Sequence, residues 1–397
     1  FYQAENGSTF NFGQDSSFAG IKTAQGNQDS GGVGDFYYTP PSGFKALCTK
    51  NLPDVAVVPS EYFNSSIWTA DGSSRTYALG SFAPDLVWYK SRSDAESHRL
   101  LDTVRGDGST YWETLYSNTT GAETEDNNVT NISASGITVV AAGNSPSISN
   151  RTYVAWNWKA NGSGSSNNAG DNNAIVSANT DAKFSIVSYT GSGGEPKTVA
   201  HGLGVSPEMV IIKKRNNTGS WVVWHKDLAD NYAFEGLDTT GAAVSGGSPI
   251  SKYVDAVSST LVTLGDAGEN NASGDTYIMY CWASVDGYSK VGSYTGNGST
   301  DGTFVYTGFR PKWVLVKTTA ITESWYVWDT SRNTFNLMDK HLNPDSSNTE
   351  STNTDRSIDA LSNGFKLKGT NTATNGNGDT YIYLAFAESP FKYSNAR

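Results

Sequence analysis

One pattern limits the folds open to this chain: a single unit occurs three times. Pro-Asp-Leu-Val-Trp-Tyr-Lys at 84–90 recurs as Pro-Glu-Met-Val-Ile-Ile-Lys at 207–213 and as Pro-Lys-Trp-Val-Leu-Val-Lys at 311–317. A second landmark follows each copy: Thr-Tyr-Val-Ala-Trp-Asn-Trp, Thr-Tyr-Ile-Met-Tyr-Cys-Trp and Thr-Tyr-Ile-Tyr-Leu-Ala-Phe, with tyrosines at Tyr153, Tyr277 and Tyr381. Proline and tyrosine lie 69, 70 and 70 residues apart. Constant spacing with different side chains between the landmarks marks one structural unit used three times. An enzyme usually needs one site, whereas arrays of small units usually build surfaces for binding or display.

Within each unit the periodicity is two. In the terminal strand, Val154, Trp156 and Trp158 fall on one face, matched by Ile278, Tyr280 and Trp282 and by Ile382, Leu384 and Phe386. That face is large and apolar in every copy and reads as core. The opposite face, with Tyr153, Ala155 and Asn157 in the first copy, varies more. Each copy opens on an aromatic residue and a turn, of which Tyr294-Thr295-Gly296-Asn297-Gly298 carries the Asn-Gly hairpin signal. No long amphipathic helix is evident. The fold class read from this is all-β: tandem antiparallel β-sandwiches of jelly-roll or SPRY-like type, in series. The expected divisions are 1–57, which does not fit the repeat; 58–160, repeat 1; 161–182, a linker; 183–286, repeat 2; and 287–397, repeat 3. The linker is predicted flexible, because Asn161–Asn179 is rich in Gly, Ser, Asn and Ala. The join Ser284–Lys290 is short, so repeats 2 and 3 are predicted to be coupled more rigidly than repeats 1 and 2.

Composition narrows the function. A chain of 397 residues holds about two to four domains. Only 37% of residues are hydrophobic while 12% are aromatic, so Trp, Tyr and Phe must carry much of the burial. A net charge of −11 with no basic stripe argues against nucleic acid as a partner. Cys48 and Cys281 are too few for a disulfide framework. Cys281 stands where the other repeats have Asn157 and Ala385, so it reads as a small filler rather than a nucleophile. No apolar run approaches the roughly 18 residues of a membrane helix and no signal peptide is visible, so no membrane partner is expected. The chain begins at Phe1, which reads as a fragment, a processed product or the ordered part of a longer protein.

Catalytic and metal patterns are sparse. His98, His201, His225 and His341 show no metal-ligand spacing, and His225 stands where its sisters have Asp102 and Asp329. They read as surface or hydrogen-bonded histidines. No nucleophile elbow or phosphate loop is present, and no cofactor is expected. Most carboxylates sit in turns beside Gly or Asn, although a glycosidase-type pair stays open. Asp266–Asp275 carries oxygen ligands suited to calcium without EF-hand spacing, which leaves metal binding open. Aromatics offer the better clue. Trp221, Trp224, Trp325 and Trp328 lie in strands and read as packing. In the loop Asp107-Gly108-Ser109-Thr110-Tyr111-Trp112, the residues Asp107, Tyr111 and Trp112 are the candidates for an exposed glycan contact.

Residues 1–57 resemble the C-terminal part of a SPRY-type β-sandwich, through Asn11-Phe12-Gly13-Gln14, Gly34-Asp35-Phe36-Tyr37-Tyr38 and the run Pro40–Cys48. The three repeats resemble a module of unassigned function in virion proteins of marine bacteriophages. Its marks here are Ser185–Gly191, His201-Gly202-Leu203-Gly204, Ser273-Gly274-Asp275-Thr276-Tyr277, Gly292–Gly298 and Tyr306-Thr307-Gly308-Phe309-Arg310-Pro311. The first repeat departs most, with Tyr77-Ala78-Leu79-Gly80 in place of His-Gly-Leu-Gly. The resemblance implies a non-enzymatic phage structural protein on the virion surface, extracellular after release. It would form part of a fibre or appendage that displays β-sandwiches for attachment to host-surface glycans. The alternative is a purely architectural capsid or tail decoration protein. Other virion proteins and a second copy of the chain are the expected partners, with a homo-oligomer, a trimer in the first instance, joined along 1–57. Exposed Trp or Tyr clustered at one tip would favour binding, and wholly buried aromatics would favour architecture.

Overall fold

In a computed structural model, the structure describes residues 9–51, 56–106, 110–126, 128–141, 143, 146–194, 196–229, 235–244 and 253–390. The chain divides into two compact units, Phe1–Val55 and Ala56–Arg397.

The first unit is built from turns. Among its described residues the only ladder is the bridge between Asn27 and Phe36. One carboxylate organises it. Asp29 accepts from the Gly31 and Val33 N–H groups at 2.8 and 3.1 Å, from Ala46 N–H at 2.9 Å and from Asn51 Nδ2 at 2.7 Å. These donors, Ala46 N–H foremost, hold its pKa down to about 2. Gly13 has φ +91°, and a Cβ there would lie 2.6 Å from that of Ala46, so only glycine lets the loops close. Of the strands expected for the C-terminal part of a SPRY-like sandwich, the described residues pair only at the bridge between Asn27 and Phe36.

The second unit holds the three repeats, each a large antiparallel sheet covered by a three-stranded one. In repeat 1, Leu86–Ser91 pairs with Thr152–Trp158, setting Trp88 opposite Trp156. In repeats 2 and 3 the equivalent pairings set Ile211 opposite Tyr280 and Leu315 opposite Leu384. The small sheets are Arg75–Tyr77 with Gly136–Val139 and Val129–Ser133, Lys197–Ala200 with Leu261–Leu264 and Val254–Val257, and Phe304–Tyr306 with Gly364–Leu367 and Ile358–Leu361.

Both faces of the central strands of each large sheet are buried. Trp88, Trp156, Ile211, Tyr280, Leu315 and Leu384 belong to one continuous core shared by all three repeats. The opposite faces meet the small sheets in three separate cores. At the centre, Trp158 packs edge-to-face on Trp282, Trp313 and Phe386, with ring centroids 6.3, 5.6 and 5.6 Å apart. The all-β class and the tandem antiparallel sandwiches, one per repeat, are as expected; beyond their separate cores the three also share a common one. The face read as sandwich core is the shared one, and the more variable face, with Tyr153 and Ala155, is equally buried. The predicted linker 161–182 is corrected. Ser165–Asn167 and Ala174–Asn179 are strands that extend the large sheet of repeat 2, because Ala174 and Val176 alternate into its core.

The repeats close a ring. Glu123 N–H donates to Arg215 O at 2.7 Å, Ala243 N–H to Thr319 O at 3.1 Å and Glu350 N–H to Arg92 O at 2.9 Å. These equivalent bonds join repeat 1 to 2, 2 to 3 and 3 to 1. Charged side chains reinforce two of the seams. Between repeats 1 and 2, Asp102 holds Arg105 at 2.5 Å, Arg105 reaches Glu123 at 3.1 Å, and Glu123 takes Arg215 at 2.8 Å. Tyr280 OH donates to Asp102 at 2.7 Å. Between repeats 3 and 1 the same positions are Asp329, Arg332, Glu350 and Arg92, and Trp156 Nε1 donates to Asp329 at 3.0 Å. Burial opposes the charges of Glu123 and Glu350, but their arginines outweigh it and hold both carboxyls below the usual range. At the seam between repeats 2 and 3 the four positions are His225, Leu228, Ala243 and Thr319. Leu384 stands there in place of the donors Tyr280 and Trp156, so an aspartate would be stranded; His225 instead faces the Tyr383 carbonyl at 3.4 Å. The four change together because a buried ionic chain is tolerable only when complete.

One charge compensates at that third seam. Lys90, Lys213 and Lys317 close the three proline strands without exposed surface. Lys317 lacks the glutamate of the other seams, and Glu235, equally buried, lies 3.6 Å from its Nζ. Glu235 is paired opposite Val223, where Leu115 is opposite Leu100 and Leu342 opposite Val327 in the sister repeats. A carboxylate thus occupies a leucine position, and burial pushes its pKa up to about 7 against the pull of Lys317.

Three outcomes are expected. Trp156→Ala loses roughly 3–5 kcal/mol, with residues 56–390 unfolding in one cooperative transition in urea; three separate transitions would contradict the shared core. Arg332→Leu alone loses about 3–5 kcal/mol by leaving the buried Asp329 without its cation, while Glu350 keeps Arg92. Adding Asp329→His, Glu350→Ala and Arg92→Thr recovers most of that loss in the same assay, and no recovery would refute the seam equivalence. The pKa of Glu235 lies above its unfolded value, so its stabilising contribution is present below about pH 4.5 and lost as the pH rises through about 7. Glu235→Gln should flatten the slope of the melting temperature between those values, and an unchanged slope would remove Glu235 as its source.

Candidate functional site

Buried polar chemistry in the second unit serves packing. All four histidines are buried, with exposures of 0–2%, so the surface alternative is ruled out for them. Burial pulls His225 and His341 down to about 4, which keeps them neutral at ordinary pH. The Cys281 thiol is pushed up to about 12 by burial, as suits a filler and not a nucleophile. Among the described residues no three His, Cys, Asp or Glu side chains converge as metal ligands. In the loop considered for calcium, Asp275 is taken by Lys214 at 2.8 Å, and Asn271 Oδ1 accepts from Ser192 N–H at 3.2 Å. The landmark tyrosines act locally: Tyr277 OH donates to Gly268 O at 2.9 Å and accepts from Ala272 N–H at 2.8 Å, clamping the short helix Gly268–Asn271. Gly191 passes under this clamp, where a Cβ would sit 2.4 Å from Ala272 O.

The loop candidates divide. Asp107 lies outside the described residues. Tyr111 is half-buried. Trp112 is buried in the repeat 1 core and its backbone N–H donates to Val129 O at 3.0 Å, which corrects its reading as an exposed glycan contact. It leads directly into the strand Glu113–Tyr116, whose alternation carries its ring inward. Trp221, Trp224, Trp325 and Trp328 are all buried, as expected for packing. Trp221 and Trp325 also donate across seams, to Tyr116 O at 2.9 Å and Gly236 O at 2.8 Å.

Exposed aromatics collect elsewhere. In the first unit a groove of about 420 Å³ is lined by Phe10, Phe12, Tyr37, Tyr38, Phe44 and Leu47 among others. Tyr38 is 79% exposed and Phe44 66%. On repeat 2 a groove of about 330 Å³ beside the Ser165–Asn179 hairpin mixes polar residues such as Ser166, Asn168, Asn173 and Thr190 with apolar Ala174 and Ile175. Among the described residues of the second unit, the exposed aromatics are Phe304, Tyr306 and Phe335, all in repeat 3. The signal that could have found them is comparison of the repeats position by position on their outer strands.

No curated protein matches the chain. A family model described as "Domain of unknown function (DUF7483)" matches residues 58–390, which takes in all three repeats as one domain. The match covers most of the chain and follows the body built on the shared core, and the protein belongs to this family.

Proposed function

We propose that the protein is a structural component of a bacteriophage virion surface, in which a rigid three-repeat body displays its outer sheets towards the host. The observation that carries this reading is the division of labour within each repeat. The large sheets and their charges are engaged in the shared core and the seams, which leaves the outer faces of the small sheets free to vary. The resemblance of the repeats to phage virion modules supplies the setting. Ten of the eleven tryptophans are buried, which favours an architectural role for the body over sugar binding by its loops. In the first unit, Phe10, Phe12, Tyr38, Phe44 and Leu47 form an exposed apolar surface suited to a second copy of the chain, a homo-oligomer being the expected state. Immunogold labelling of purified particles with antibodies to residues 56–390 should mark the capsid or tail, and light scattering of the purified chain should give a multiple of the monomer mass. Unlabelled particles refute the virion reading, and a monomer refutes self-association.

A further inference from the structure

The three small sheets share one register, so their outer faces can be compared residue by residue. In repeat 1 the row across the sheet is Thr76, Thr138 and Asn131. In repeat 2 it is Thr198, Thr263 and Ala256. In repeat 3 it is Phe304, Lys366 and Asp359. The next row of repeat 3 is Tyr306, Gly364 and Leu361, where repeat 2 has Ala200 opposite Leu261. Repeat 3 therefore carries two aromatic rings where its sisters fold with threonine and alanine. Phe304 is 44% exposed and Tyr306 62%. Asn336 anchors the opposite side of the sheet by bonding Ala360 with both amide atoms at 2.9 Å, and its neighbour Phe335 is 71% exposed.

Covering a glycine does not account for these rings. Phe304 lies over Gly364, 3.0 Å from where a Cβ would be. Gly136 holds the same place in repeat 1, its Cβ position 1.9 Å from Tyr77 O as that of Gly364 is 2.1 Å from Val305 O. There the register equivalent of Phe304 is Thr76, and Ser133 is paired opposite the glycine.

We propose that this outer face of repeat 3 binds a neutral glycan, an inference that rests on the display reading and names its ligand class. The flat C–H face of a sugar ring packs on the negative face of an aromatic ring. A few polar groups at the rim then fix orientation. Those groups are present as two ion pairs, Lys366 with Asp301 and Lys368 with Asp359, and the Asp301 side chain is 85% exposed. The four charges sum to zero, so these groups give the face no net charge to attract a charged ligand.

The test is an array of neutral and acidic oligosaccharides probed with the full chain, followed by calorimetry with the best neutral oligosaccharide. The matched variant is Phe304→Thr with Tyr306→Ala, the residues that the sister repeats fold with. The wild type should bind neutral members. The variant should bind at least tenfold more weakly, about 1.4 kcal/mol, with an unchanged melting temperature. No neutral ligand, a preference for acidic ones, or equal binding by the variant overturns the proposal. So does a variant that changes only the oligomeric mass, which would assign the face to self-association. Particle labelling is read independently, so labelled particles without sugar binding refute this site alone, and unlabelled particles refute the display reading itself.

Discussion

The structure depends on the central strands of each large sheet burying both of their faces. An ordinary sandwich sheet packs one face and leaves the other to water. Here the inner face of each large sheet meets the other two, and the outer face meets its own small sheet. A strand with two buried faces has no polar side, which is why Leu-Val-Trp-Tyr at 86–89 and Met-Val-Ile-Ile at 209–212 run without interruption. It also explains the heavy use of aromatics in a chain of low aliphatic content. Large rings such as Trp158, Trp282, Trp313 and Phe386 span the space between three sheets that smaller side chains would leave open.

The same constraint accounts for the buried charges. Strand ends and connections of one repeat are covered by the next, so polar groups that would face water in a lone sandwich must find partners across a seam. The chain Asp102, Arg105, Glu123 and Arg215 does this between repeats 1 and 2, and its counterpart does so between repeats 3 and 1, where no linker joins the two. The third seam shows the alternative solution. His225, Leu228, Ala243 and Thr319 replace the ionic chain outright, and Glu235 moves to a leucine position to face Lys317. Substitutions that look unrelated along the chain are one packing decision in space.

A closed body of this kind separates two roles. Residues facing the shared core answer to both neighbouring repeats and have little freedom. The outer faces of the small sheets point away from the shared core and the seams, so they can differ without disturbing the ring. The change from Thr76 and Thr198 to Phe304 is of this second kind, and it is where the repeats diverge in chemistry while keeping register.

The sequence by itself determined the threefold repeat, the all-β class, the antiparallel strands with their register landmarks, and the buried role of Trp221, Trp224, Trp325 and Trp328. These follow from local periodicity and constant spacing, which need no partner to be read. Tertiary structure decided what the periodicity could not. Whether Val154, Trp156 and Trp158 face a private or a shared core depends on where distant sheets lie, because a period of two gives the same stripe in either case. The composition of Asn161–Asn179 signals turns, and only the adjoining edge of Phe184–Thr190 makes strands of it. Trp112 read as a loop aromatic until the small sheet covered it. The identities of His225 and Glu235 have no explanation along the chain, since their reasons, Leu384 and Lys317, stand in another repeat and are brought near only when the ring closes.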